Sequence, residues 1–173
     1  MSRMNLLIKG LLIALWCITP CVAEAILTTK VDDPGIFETG IKPLQVSKGA
    51  VPWEKFAQTK STEKEMSDLL GKYFVLLPHY SADIKALDGQ VVTLMGYMFP
   101  LQEAEKQSDF LFGPFPPSCP FHYHVNPNQV VEVVTSKPIK FSYHPIRIKG
   151  RLHLTPKDPN GVFYILRQAQ LDE

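Results

Sequence analysis

The chain has 173 residues, of which 45% are hydrophobic and 20% are charged, as in an ordinary globular domain. Its formal net charge of +1 excludes proteins that bind nucleic acid or acidic membranes mainly through a large positive charge. Fifteen prolines against ten glycines favour rigid loops over long helices. The composition therefore predicts one β-rich domain.

Residues 1–23 have the pattern of a cleaved signal peptide. Arg3 and Lys9 lie at the start of an apolar run, and small residues follow it, so that cleavage after Ala25 is a second option. The run is about half of the roughly 20 residues that a membrane-spanning helix needs. We expect export to the periplasm with no stable membrane span after cleavage. A retained anchor and a lipoprotein modified at Cys21 are the alternatives.

Cleavage would leave Cys119 as the single cysteine of the mature chain. In an oxidising compartment thiols usually pair. The lone thiol is therefore expected to be buried and inert, joined to another molecule, or a metal ligand.

After the leader, residues 24–50 show little periodicity and predict an extended arm, and residues 51–173 predict a single β-rich domain. The sequence from Val51 to Glu54 opens a short helix with Trp53 and Phe56 as its apolar anchors.

A second helix is predicted from a capping box that joins Thr62 to Glu65. Its apolar face would hold Met66, Leu69 and Leu70. Gly71 would end it.

The rest of the chain predicts short strands separated by turns. Gly96 predicts a bulge or tight bend inside one strand, and residues 84–89 predict a turn. In another strand the basic side chains of Arg147, Lys149, Arg151 and His153 alternate with apolar ones. The predicted strands are Tyr73–Leu77, Gln90–Phe99, Asp109–Phe115, Gln129–Thr135, Ile146–Thr155 and Val162–Gln168.

These elements predict a mainly β, β-rich α+β chain: a small OB-like, partly open, coiled barrel with one or two short N-terminal helices. Core packing is the simplest interpretation of five aromatic residues, which are Tyr97, Phe99, Phe110, Phe112 and Phe115.

Six motifs between Val51 and Ala169 resemble those of a known family of exported bacterial proteins with a domain of unknown function. They are Val51-Pro-Trp53, Leu87-Asp-Gly89, Gly96-Tyr-Met-Phe-Pro-Leu101, Asp109-Phe-Leu-Phe112, a cysteine loop that closes on Asn128-Gln129, and Ile148-Lys-Gly150-Arg-Leu152. The resemblance implies a periplasmic domain, often encoded beside transporter components, with a role in metal handling. Many relatives have a histidine two residues after the cysteine, where this chain has Phe121.

The proline-rich stretch Gly113 to Gln129 contains the candidate site. Cys119, His122 and His124 fall within six residues. A thiolate with two imidazoles suits Zn or Cu, and the soft sulfur favours Cu(I). A tetrahedral zinc site needs a fourth ligand, for which His79, His144 or an acidic residue are candidates.

Two other interpretations of this loop compete with metal binding. Cys119 as a small buried hydrophobe is the first, with Asn126 and Asn128 as turn residues that bond their own backbone. A catalytic Cys–His pair is the second, and it lacks an orienting third residue. Separately, the basic side chains of the strand Ile146–Thr155 are expected to be solvated, and a contact with an acidic partner is the alternative.

The resulting prediction is an exported periplasmic binding domain that handles Zn or Cu through Cys119, His122 and His124, and that is not an enzyme. The alternative is a non-catalytic accessory interaction module of an envelope transport system, in which Cys119 is structural. The expected partner is then an envelope transporter component or another protein, and not nucleic acid.

Overall fold

The computed structural model of the chain describes residues 44–117, 125–158 and 161–172. No helix in these three stretches is long and apolar enough to cross a membrane. In chain order the elements are helix α1 (Trp53–Ala57), strands β1 (Lys60–Asp68) and β2 (Gly71–His79), helix α2 (Ala82–Lys85), strands β3 (Val91–Pro100) and β4 (Lys106–Gly113), a 3-10 helix (Pro127–Gln129), and strands β5 (Val131–Lys140), β6 (Ile146–Leu154) and β7 (Tyr164–Leu171).

Five strands close into a barrel in the order β3-β4-β5-β7-β6, and β6 pairs with β3 to complete the ring. Neighbouring strands are antiparallel except for β5 and β7, which are parallel. The last strand of the barrel, β7, thus lies between β5 and β6, as expected of an OB-like barrel. The predicted mainly β, OB-like fold with short N-terminal helices is confirmed. The predicted opening of the barrel is wrong, because the ring is closed.

Closure depends on a bend in β3 at Gly96. The first part of the strand, from Val91 to Gly96, pairs with β6, and the rest, from Tyr97 to Pro100, pairs with β4. A Cβ atom at position 96 would lie 2.6 Å from the carbonyl oxygen of Gly113 and 2.9 Å from the ring of Phe112. Only glycine allows this approach, so the bend predicted from the sequence is present where β3 changes partner.

Val51 and the start of α1 cover the edge of β3 that the bend leaves without a neighbouring strand. The backbone N–H of Val51 donates to the carbonyl of Thr93 at 2.9 Å, and the indole Nε1 of Trp53 donates to the carbonyl of Met95 at 2.8 Å. These bonds satisfy backbone acceptors that would otherwise lack a partner at a sheet edge.

The predicted helix α1 is confirmed, although its five residues are too few for a helix that is stable in isolation. Trp53 and Phe56 are both buried in the core. The ring of Phe56 meets the ring of Tyr164 edge-on, with centroids 4.9 Å apart. Tertiary burial of these two rings therefore holds the helix.

Inward-facing side chains fill the barrel, because residues along each strand alternate between buried and accessible positions. The interior of this small barrel is consequently a packed core, and binding chemistry has to use the loops and the outer surface. The buried barrel residues are Val92, Leu94, Met98, Phe110, Phe112, Val131, Val133, Ile139, Ile148, Leu152, Tyr164, Leu166 and Ala169.

The five aromatic residues expected in the core divide between two environments. Phe110 and Phe112 are fully buried. Tyr97 and Phe99 occupy the outward positions of β3 and are half-buried, as is Phe115 after β4. Core packing therefore explains two of the five.

The helix predicted from Thr62 to Leu70 is wrong, because the chain forms a β-hairpin there. β1 and β2 pair antiparallel from Lys60 opposite His79 to Asp68 opposite Gly71. A helix of this length needs a core against which its apolar face can pack, and Leu69 and Leu70 are instead fully exposed.

Strand β2 also continues through Pro78, where the sequence predicted its end. One edge of β2 pairs with β1. Apart from that pairing, β2 makes a single isolated β-bridge within the described residues, between Leu76 and Asp158. A proline is tolerated on such an edge strand because no continuous ladder of backbone donors is needed there. Helix α2 overlaps the start of the predicted turn at residues 84–89, and Ser81 caps this helix by accepting from the N–H of Ile84.

Strand β6 confirms the alternation predicted from the sequence. Ile148, Gly150 and Leu152 are buried, whereas Lys149 and Arg151 are exposed. Gly150 lies at a register shift between β6 and β7, and a Cβ there would lie 2.9 Å from the carbonyl oxygen of Arg167.

Replacing Gly96 with alanine is expected to destabilise the domain by about 1–3 kcal/mol, because overpacking forces backbone or ring shifts. Urea unfolding at neutral pH measures this change. Val91→Ala is the matched control on the same strand, because Val91 is 53% exposed and exposed positions usually change stability by less than about 0.5 kcal/mol. Equal stability of the parent and Gly96→Ala would contradict the role of the bend.

Candidate functional site

The predicted metal ligands Cys119, His122 and His124 lie outside the described residues, since the structure describes the loop only up to Pro117 and again from Val125. The structure therefore shows the two flanks of the loop and the parts of the domain that hold them.

The first flank leaves the barrel at the end of β4. Pro114 directly follows this strand and is buried. Its carbonyl accepts a hydrogen bond from the N–H of Leu44 at 3.0 Å. The arm segment thus fixes the point at which the loop begins.

The second flank is a 3-10 helix over Pro127–Gln129. Asn128 Nδ2 donates to the carbonyl of Ala57 and to the carbonyl of Thr59, both at 3.0 Å. One side chain therefore ties the end of the loop to the connection between α1 and β1.

The interpretation of Asn128 as a residue that bonds its own backbone is wrong. Its partners lie 71 and 69 residues away in the chain, and no local sequence pattern indicates a contact at that separation. Asn126 makes no capping hydrogen bond with its side chain.

A buried tyrosine supports the same connection from inside the barrel. Tyr164 Oη donates to the carbonyl of Phe56 at 3.1 Å. Burial raises the pKa of Tyr164 well above its ordinary value, because the apolar surroundings disfavour the phenolate. The hydroxyl therefore stays protonated and serves as a structural donor.

Tyr80 plays a similar part beside the connection between β6 and β7. Its Oη lies 2.5 Å from the carbonyl oxygen of Thr155 and 2.8 Å from that of Phe163. Burial raises the pKa of Tyr80 as well. Both tyrosines thus join backbone segments and stay protonated at neutral pH.

The two histidines considered as a fourth ligand lie at different ends of the barrel. His79 is the last residue of β2 and pairs with Lys60. The residue before Lys60 is Thr59, whose carbonyl accepts from Asn128. The Nε2 atom of His79 lies 3.0 Å from Thr62 Oγ1. His144 lies in the connection from β5 to β6, at the end of the barrel away from the loop. Within the described residues no three His, Cys, Asp or Glu side chains converge as a metal site.

The outer face of β6 is basic, as the alternation predicted. Arg147 Nη2 lies 2.9 Å from Asp172 Oδ2, and this hydrogen bond lowers the pKa of Asp172. Arg151 faces Arg167 directly across β6 and β7, an arrangement in which like charges repel. Arg151 donates to the carbonyl of Gly89, and the negative end of this carbonyl dipole partly offsets the positive charge of the guanidinium.

Replacing Asn128 with alanine is expected to cost about 1–3 kcal/mol, because two backbone carbonyls lose their donor. Chemical unfolding measures the loss. Asn126→Ala is the matched control from the same flank, and we expect it to unfold like the parent. Equal losses in the two variants would contradict the anchoring role of Asn128.

Stability above pH 10 is expected to depend on Tyr164. A raised folded-state pKa means that the unfolded chain loses this proton first, near the ordinary tyrosine value of about 10. The stabilisation is therefore complete below that pH and is lost as pH rises toward the folded-state pKa.

Urea unfolding between pH 8 and pH 11 tests this pH dependence. Tyr164→Phe should flatten the decline above pH 10 and should also cost about 1 kcal/mol at neutral pH, because the carbonyl of Phe56 loses its donor. Tyr143→Phe is the control, since Tyr143 is exposed. A decline that is as steep in Tyr164→Phe as in the parent would refute this assignment.

The comparisons with known proteins identify the family of the chain. No curated protein matches the chain. A solved DUF3299 family protein from Pseudomonas aeruginosa is 27% identical to it with a TM-score of 0.40, over 51% of this chain and 65% of that one. The match thus spans about 65% of the solved protein's length. The family described as a protein of unknown function (DUF3299) matches residues 48–171, so the chain belongs to this family, and the predicted resemblance is confirmed.

Proposed function

We propose that the chain is an exported, non-catalytic binding domain that handles Zn or Cu in the periplasm through Cys119, His122 and His124. The chemistry of the three side chains supports the metal, because a thiolate and two imidazoles are ligands that both ions accept. The leader supports the compartment, and metal binding would also protect a lone thiol in oxidising surroundings.

The observation that carries the proposal is the anchoring of the loop on both sides. The carbonyl of Pro114 is held by Leu44 on one flank, and Asn128 is held by Ala57 and Thr59 on the other. A metal site gains affinity when its ligands are attached to a rigid frame, because less conformational entropy is lost on binding.

A second observation fits a histidine-based site. Asn128 Oδ1 is buried and has no hydrogen-bond partner among the described residues. A metal-bound histidine usually donates its other ring N–H to an oxygen acceptor, which fixes the orientation of the ring. The anchor of the loop thus keeps an acceptor of the required kind close to the end of the ligand stretch.

His79 is the better choice for a fourth ligand. It lies beside the segment that Asn128 holds, whereas His144 lies at the other end of the barrel. The Thr62 hydroxyl already approaches the His79 ring at 3.0 Å, which supplies an oxygen for the second ring nitrogen.

Binding rather than catalysis is supported by how the described polar groups are used. Asn128, Tyr164 and Tyr80 direct their side chains to backbone carbonyls. Groups committed to backbone contacts in this way hold a frame and do not transfer protons. The proposed partner of the domain is an envelope transporter component or another protein.

The decisive experiment is the metal content of the mature domain purified under reducing conditions from the periplasm. We expect near-stoichiometric Zn or Cu in the parent and less than about a tenth of that in Cys119→Ser and in His122→Ala, because a site that loses a ligand binds far more weakly. His79→Ala should weaken the site less than these two.

His144→Ala is the matched control, because it removes an imidazole at the far end of the barrel, and it should retain the metal. A parent without metal that also binds neither added Zn(II) nor Cu(I) would refute the proposal. The accessory interaction module with a structural Cys119 would then be the better interpretation.

A further inference from the structure

The tip of the β1–β2 hairpin exposes two adjacent leucines. Leu69 is 104% exposed and Leu70 is 98% exposed. The turn is built to hold them outward, since Asp68 Oδ1 accepts from the N–H of Leu70 at 2.7 Å and Gly71 has a φ of +129°. Single exposed apolar residues are common, but an adjacent pair at the apex of a projecting hairpin is not.

Further apolar side chains lie on both faces of the hairpin behind the tip. Phe74 is 56% exposed and Tyr73 is 39% exposed, and neighbouring residues of a strand point to opposite faces. Met66 pairs with Tyr73 and adds to that face. Anything that covers all these groups has to surround the tip rather than touch one side of it.

The exposed area is small for a protein partner. The apolar area is divided between the tip and two opposite faces of the hairpin, so a protein partner on one face would cover well below the about 800 Å² that each partner contributes to a standard protein interface. Flat protein surfaces can reach only one face of the hairpin. A lipid bilayer, in contrast, needs no matching shape and closes around an inserted tip.

The charges around the tip set the depth of insertion. Lys64 and Lys72 balance Glu65 and Asp68, and Lys72 pairs with Glu65 at 2.6 Å. Tyr73 lies about 10 Å behind Leu70, at about 3.3 Å per strand residue. Leucines below the headgroups, charges among them and an aromatic ring near the water boundary form the pattern of an interfacial segment.

We propose that the β1–β2 hairpin attaches the domain to the surface of a lipid bilayer by inserting Leu69 and Leu70. Because the charges of the tip cancel, apolar burial supplies the attachment, and anionic lipids are not required. This proposal does not depend on metal binding, since the hairpin tip includes none of the proposed ligands.

Co-sedimentation of the mature domain with phosphatidylcholine vesicles tests the attachment. We expect the parent to bind, with less than a twofold change between 50 mM and 500 mM salt or on adding anionic lipid. Leu69→Ser with Leu70→Ser should lower the partition coefficient at least about tenfold, because two buried leucines are lost from the lipid. Near-ultraviolet circular dichroism checks that the variant is folded.

Leu101→Ser is the matched control, because Leu101 is 51% exposed and follows β3 at the other end of the barrel. It should bind vesicles like the parent. A parent that does not bind vesicles, or a double serine variant that binds equally well, would overturn the proposal. Self-association of the parent that the double variant abolishes, without vesicle binding, would assign the tip to a second copy of the chain instead.

Discussion

The close approach of β3 and β4 at Gly96 is the constraint on which the barrel depends. A hydrogen atom in place of a side chain lets β3 bend where it leaves β6 and joins β4. Without the bend the ring would not close, and the sheet would keep two open edges. Closure in turn brings the inward residues of all five strands into one core, which leaves no room for a ligand inside.

The bend also explains why the segment before α1 is part of the domain. Where β3 turns away from β4, its carbonyls need other donors, and Val51 and Trp53 supply them. The same segment holds Pro114, at the start of the proline-rich loop, while Asn128 holds its end. Hydrogen bonds to the rest of the domain thus hold both described flanks of the loop, at Pro114 and at Asn128.

Much of the barrel could be predicted because its strands carry local signals. The alternation in β6 and the glycine in β3 each reflect a constraint that acts within one strand. The sequence predicted a helix in place of the hairpin because residues Thr62 to Glu65 match a helix-capping pattern. No core surface lies where the apolar face of that helix could pack, and tertiary context overrides local propensity. The role of Asn128 could not be read from the sequence, since it depends on a contact that the fold alone creates. For the candidate ligands, the sequence predicts the donor chemistry. The fold adds that His79, and not His144, lies at the end of the barrel where the flanks of the loop are held.

The position of β7 has a consequence for how the chain acquires its structure. This strand is the last element of the described chain but lies between β5 and β6 in the ring. Each of these two strands therefore keeps one unpaired edge until β7 has formed. The pairing of β7 with β6 is local, whereas its pairing with β5 spans the whole of β6. Such non-local pairing slows folding, and a nascent chain cannot complete the barrel before Leu171 has left the ribosome. Shortened forms that lack β7 would present two open strand edges to one another and aggregate.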